Sequence, residues 1–123
     1  MGRDMKRSDF ERLVIEALDH LPKEFQEYLE NVAFIIEDRP TARLLRSLGM
    51  EQDELLFGFY EGSPITDPFH EGEFQLPDKI TLYMHTFELS CISHEEIVEE
   101  VRKTVLHEIG HHFGLEEDQL EEL

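Results

Sequence analysis

Cysteine is nearly absent from this chain. Cys91 is the one thiol in 123 residues, so no disulfide can close within it, and a reducing compartment, the cytoplasm, is the expectation. A lone thiol of this kind reads as a small buried hydrophobe rather than a nucleophile. No apolar run approaches the roughly 18 residues that a membrane span needs. The segment Met1 to Arg12 is charged and lacks the apolar centre of a secretory signal. Positive charge is scarce as well: 11 Lys and Arg face 29 Asp and Glu, a net charge of −18. Binding to a phosphate backbone releases counterions to Lys and Arg. The few cations here gather at Arg3, Lys6, Arg7 and Arg12 and again at Arg39, Arg43 and Arg46, with no basic stripe interleaved with aromatics. Nucleic acid and anionic membrane are therefore not expected partners, and the acid excess reads as a solvated face.

What the chain does have is enough apolar mass for one core. Hydrophobic residues make up 40%, with nine Phe and three Tyr. Disorder throughout is excluded despite 33% charged residues. The length fits a single domain over residues 1–123. Helices and strands alternate, without repeats or low-complexity linkers. Ser8 and Glu11 form a capping-box pattern ahead of Phe10, Leu13, Val14, Ala17 and Leu18 at helical spacing. Pro22 ends that helix and opens another carrying Phe25, Tyr28 and Leu29. Val32 to Ile36 reads as a buried strand. Thr41 caps a short helix that stops at Gly49. Glu54 to Tyr60 and Lys79 to Leu89 read as two further strands, separated by an irregular stretch from Glu61 to Pro77. A second capping box, Ser93 and Glu96, opens a helix through Ile97, Val101, Val105 and Ile109 up to Gly114. That is about 20 residues, or roughly 30 Å.

The end of this last helix carries the chemistry. It reads His107-Glu108-Ile109-Gly110-His111, an H-E-x-x-H pattern. Residues four apart differ by about 40° around an α-helix, so both imidazoles leave one face, a turn apart. They can share a tetrahedral Zn2+ at roughly 2.0–2.1 Å each. Glu108, about 100° away from His107, can reach a water activated by the metal without being a ligand, and so acts as general base. Gly114 can take a positive φ and turn the chain back. The residue six after His111 then returns towards the metal. Glu117 is the first choice for the third ligand, with Glu116 and Asp118 as neighbouring oxygen donors. His112 points away from His111 and reads as a packing or supporting residue. His20, His70 and His94 lack ligand spacing and read as surface residues. Phe113 and Leu115 read as core.

The segment HEIGHHFGL resembles the active-site stretch of the zincin metallopeptidases, in the extended H-E-x-x-H-x-x-G-x-x-(H/D) form. Among these it is most similar to small bacterial single-domain zincins with the same His-His-Phe-Gly run. The resemblance implies an α+β, zincin-like fold: a small mixed sheet packed against helices, with a long C-terminal active-site helix. It implies His107 and His111 as zinc ligands, Glu108 as general base, and a peptide or protein substrate. The family pattern has Asp or His where this chain has Glu117. Metzincins place a methionine turn after the motif, and here no Met follows Met84. Gluzincins draw a glutamate from a later helix, and none is expected here; the 61–77 loop could partly replace the second cleft wall, and so could a partner chain. Zincins also hold substrate against an edge strand above the active-site helix. The resemblance gives that place to Lys79–Leu89, with Tyr83 and His85 as donors to the developing oxyanion. The expected function is zinc-dependent peptide hydrolysis. The alternatives are a non-catalytic, metal-stabilised module that binds peptide or protein, and a metal-dependent endoribonuclease. A ribosome-associated nuclease family carries a related helix motif with three His, from which Glu108 and Glu117 depart.

Overall fold

The computed structural model describes residues 5–62 and 77–114. It is a mixed α+β structure of five helices and a three-stranded sheet among the described residues. Helix α1 (Arg7–Asp19) and helix α2 (Lys23–Leu29) precede strand β1 (Val32–Glu37) and helix α3 (Ala42–Ser47). Strands β2 (Gly58–Glu61) and β3 (Asp78–Tyr83) follow, then helices α4 (Met84–Ser90) and α5 (His94–Phe113).

The local signals act where they were expected, with small shifts. Helix α1 starts one residue before Ser8: Lys6 is its N-cap, and its backbone N–H donates to the Asp9 carboxylate at 3.3 Å. Ser8 lies inside the first turn, because Asp9 supplies the reciprocal carboxylate that Glu11 was expected to supply. Pro22 caps α2. The Thr41 side chain accepts from the Leu44 N–H at 3.1 Å and starts α3. Ser93 does the same for α5 through the Glu96 N–H at 3.1 Å, and the Glu96 carboxylate accepts from the Ile92 N–H at 2.6 Å. The caps at Thr41 and Ser93 satisfy amide donors that the first helical turn leaves without partners.

Two strand expectations are corrected. The strand expected from Glu54 begins only at Gly58. Residues 51–54 form a turn instead, with the Glu54 N–H donating to the Glu51 carbonyl. The strand expected over Lys79–Leu89 ends at Tyr83, and residues from Met84 onward form α4. The alternation of Ile80 and Leu82 gives way to Tyr83, Phe87 and Cys91, which recur every four residues and are all buried. That is a helical period, and the fully buried Phe87 holds it in place against Phe10 and Phe57, with ring centroids 5.4 and 5.0 Å away.

The sheet order is β1-β3-β2. Strand β1 runs parallel to β3 in the register Phe34↔Ile80 and Glu37↔Tyr83, and β2 runs antiparallel to β3 with Tyr60↔Ile80. The expected edge strand is therefore the centre of the sheet. Its backbone groups are engaged on both sides, which accounts for the burial of Ile80, Thr81, Leu82 and Tyr83. Helix α5 packs across β2 and β3 and against α1 and α4. Ile97, Val101, Val105, Leu106 and Ile109 form its apolar face and join Phe10, Leu82 and Phe87 in one core. Each such side chain contributes about 1.5–3 kcal/mol by leaving water. Cys91 is buried in that core as a free thiol. Phe113 departs from the reading as core: it is 41% exposed, with its ring against Tyr28 at 4.7 Å. Leu115, His70 and most of the 61–77 stretch lie outside the described residues.

Candidate metal centre

The last turns of α5 set the geometry. Val105, Leu106 and Ile109 anchor the helix inward, which turns His107 and His111 out to solvent. The two imidazole rings stand 4.4 Å apart between centroids, at an interplanar angle of 62°. Two nitrogen donors on one exposed face, a helical turn apart, are half of a tetrahedral donor set. The helix then ends as the sequence implied. Gly114 adopts φ +67°, a left-handed conformation costly for other residues, and its N–H donates to the Gly110 carbonyl. Glu116, Glu117 and Asp118, the choices for a third ligand, lie outside the described residues.

Glu108 faces the sheet rather than solvent. It is half-buried, and its carboxylate accepts a hydrogen bond from the backbone N–H of Tyr60 on β2. Burial pushes its carboxyl above the usual carboxylate range, against the opposing pull of the His107 and His111 imidazoles and the Tyr60 N–H.

Close approach of helix and strand makes this contact possible. A Cβ on Gly58 would lie 3.0 Å from the Thr104 methyl and 3.1 Å from the Thr81 carbonyl oxygen. A side chain there would have to displace its neighbours, so the glycine favours the close approach of α5 to β2. Residues Leu55 to Gly58 on one side and Lys103, Thr104, His107 and Glu108 on the other enclose a cleft of about 410 Å3. Strand β2 is paired to β3 alone among the described residues.

One grouping beside the motif was not legible in the sequence. The Tyr60 hydroxyl donates to Asp78 at 2.6 Å, and the His112 ring stacks on the Tyr60 ring at 4.0 Å and 20°. His112 Nε2 lies 3.7 Å from the same Asp78 carboxylate. The supporting role expected for His112 thus has named partners. Those partners come from two strands far apart in sequence, so no local spacing announces them. Burial, and then the Asp78 carboxylate, hold the Tyr60 phenol far above its usual range. His20 and His94 are exposed as expected. Tyr83 is buried at the far end of β3, and His85 lies on α4, so neither occupies a substrate-facing strand.

The chain matches the zincin-like metallopeptidases over residues 29–123, and it belongs to that family. Among solved structures it is similar to one described as a conserved hypothetical protein from "Thermo thermophilus", at 24% identity, with a TM-score of 0.61, over 89% of this chain and 94% of that one. At that identity the likeness speaks for the fold. No curated protein matches the chain. Family membership implies zinc binding, and the chemistry of the His107–His111 pair fits that ion. No helix among the described residues is long and apolar enough to cross a membrane.

Proposed function

We propose that the chain is a zinc-dependent peptidase in which His107 and His111 hold the metal, Glu117 completes the ligand set, and Glu108 is the general base. The observation that carries this reading is the pairing of two exposed imidazoles on one helix face with a half-buried carboxylate beside them, His107 and Glu108 bordering a cleft along β2. Bound zinc would supply Lewis acidity and lower the pKa of a water to about 7. Glu108 takes the proton of the attacking water on a carboxylate oxygen and returns it to the leaving amine. The Tyr60 N–H fixes the orientation of that carboxylate. The place for an extended peptide is the outer edge of β2 rather than β3. The Phe57 carbonyl accepts from the Tyr83 N–H, so alternate residues of this segment turn towards β3, and Gly58 and Tyr60 turn their backbone groups outward. A peptide laid there would pair with the Gly58 backbone and the Tyr60 carbonyl, the Tyr60 N–H being held by Glu108. The strongly acidic chain argues for peptide over RNA.

The test is Glu108→Gln, assayed on a fluorogenic peptide library with zinc content measured in parallel. Hydrolysis should fall by about 10²–10⁴-fold at unchanged zinc stoichiometry. Full activity in the variant removes the mechanism. Stoichiometric zinc in the unmodified protein without cleavage of any peptide assigns the chain to the binding-module alternative.

A further inference from the structure

The His107–His111 pair is not the only place where imidazole and carboxylate meet. Where β1 ends and α4 begins, Asp38, His85 and Glu88 each bring a ligand atom to within 4.8 Å of the others. We propose that these three residues form a second divalent-cation site, separate from the α5 motif, that takes a first-row transition cation such as Zn2+ or Mn2+.

The topology assembles the site. Strands β1 and β3 run parallel and end in register at Glu37↔Tyr83. Both chains therefore leave the sheet at the same end, the carboxyl end, where sites in parallel sheets form. Asp38 is the next residue after β1. His85 and Glu88 lie three apart on α4 and so share a face of that helix. The His85 N–H donates to the Asp38 carbonyl at 3.0 Å, which fixes the exit of β1 against the first turn of α4. Helix α4 is itself held from below by the buried Phe87 and by the Thr86 hydroxyl, which donates to the Leu56 carbonyl at 2.8 Å. The ligand-bearing side chains thus project from a scaffold that cannot easily drift apart. The site is built from different elements than the first: Asp38 and α4 follow β1 and β3, whereas His107 and His111 lie on α5, which packs across β2 and β3.

The donors set the class of ion. One imidazole nitrogen and two carboxylate oxygens suit zinc, manganese, cobalt or nickel, whereas calcium and magnesium prefer oxygen alone. Bonds of about 2.1 Å place neighbouring donors about 3.4 Å apart around a tetrahedral ion. Small side-chain rotations close the present spacing. His85 and Glu88 are half-buried and Asp38 is exposed, so the open side leaves positions for water. Arg39 Nε, 3.7 Å from Asp38, is the nearby cation that an incoming ion would displace.

The experiment removes the first centre and asks whether another remains. The double variant His107→Ala/His111→Ala changes two exposed side chains, and circular dichroism checks its fold. After equilibrium dialysis against Zn2+ it should keep one equivalent. Adding Asp38→Asn, His85→Ala or Glu88→Gln should weaken that zinc about tenfold or more. Long-range proton–nitrogen NMR should show the His85 imidazole nitrogens shifting on zinc addition. Should His85→Ala unfold, the isosteric Glu88→Gln decides. Loss of all zinc in the double variant overturns the proposal. So does retained zinc that is indifferent to all three substitutions, or competition by Mg2+ at equal concentration.

Discussion

Two groupings of imidazole and carboxylate, one on α5 and one where β1 meets α4, are built in opposite ways. On α5, the pair is a product of helical pitch: His107 and His111 face one another because four residues make about one turn. At the Tyr83 end, Asp38, His85 and Glu88 meet because two parallel strands finish in register and a helix begins there. The first grouping survives any rearrangement that leaves α5 helical. The second exists only while β1, β3 and α4 keep their mutual positions. A local motif is robust and readable, whereas an assembled one depends on packing.

That difference can be broken experimentally. Phe87→Ala has the largest expected effect on stability. It removes a fully buried ring that touches Phe10 and Phe57, at about 3–5 kcal/mol, read as a drop in the denaturant midpoint. Because Phe87 holds α4, cation affinity at the Asp38 end should weaken in this variant while zinc at α5 is retained. Equal loss at both groupings would show that the two are not built independently.

Gly58→Ala tests the grouping on α5. The added methyl meets Thr104 and the Thr81 carbonyl at about van der Waals overlap. Overpacking of this kind costs about 1–3 kcal/mol. It should push α5 from β2, lengthen the contact between Glu108 and the Tyr60 N–H, and lower peptide hydrolysis with zinc content unchanged. Activity equal to the parent would mean that the strand does not position Glu108.

The smallest effect is a pH dependence at the Tyr83 end. Burial, followed by the charges of Glu37 and Glu61, raises the Tyr83 phenol above its usual value. The folded chain therefore keeps this proton to higher pH than the unfolded chain does. Its contribution is full below the ordinary tyrosine pKa of about 10 and is lost as pH climbs through the folded value. Tyr83→Phe should flatten that alkaline decline in unfolding free energy. An identical slope in both proteins would place the titrating group elsewhere.

Much of the fold was legible because it rests on short-range rules. The caps at Thr41 and Ser93, the stop at Gly114 and the apolar stripe Ile97, Val101, Val105 and Ile109 all act within a few residues. The misread segment, Lys79–Leu89, mixes two periods. Ile80 and Leu82 alternate as in a strand, and Phe87 and Cys91 then repeat as in a helix, with Tyr83 belonging to both. The boundary at Tyr83 coincides with the end of β1, its pairing partner, which no local pattern announces. The same holds for the Tyr60–Asp78–His112 group and for the place of Glu108 against β2.

By itself, then, the chain of residues determined that a capped helix would end in two imidazoles and a carboxylate on neighbouring faces, since pitch and capping depend on neighbours along the backbone. Tertiary structure alone decided that β3 lies in the middle of the sheet, that β2 is paired to β3 alone among the described residues, and that Asp38 meets His85 and Glu88. Those outcomes require pairing between segments tens of residues apart, and their free energy appears only once the core has closed.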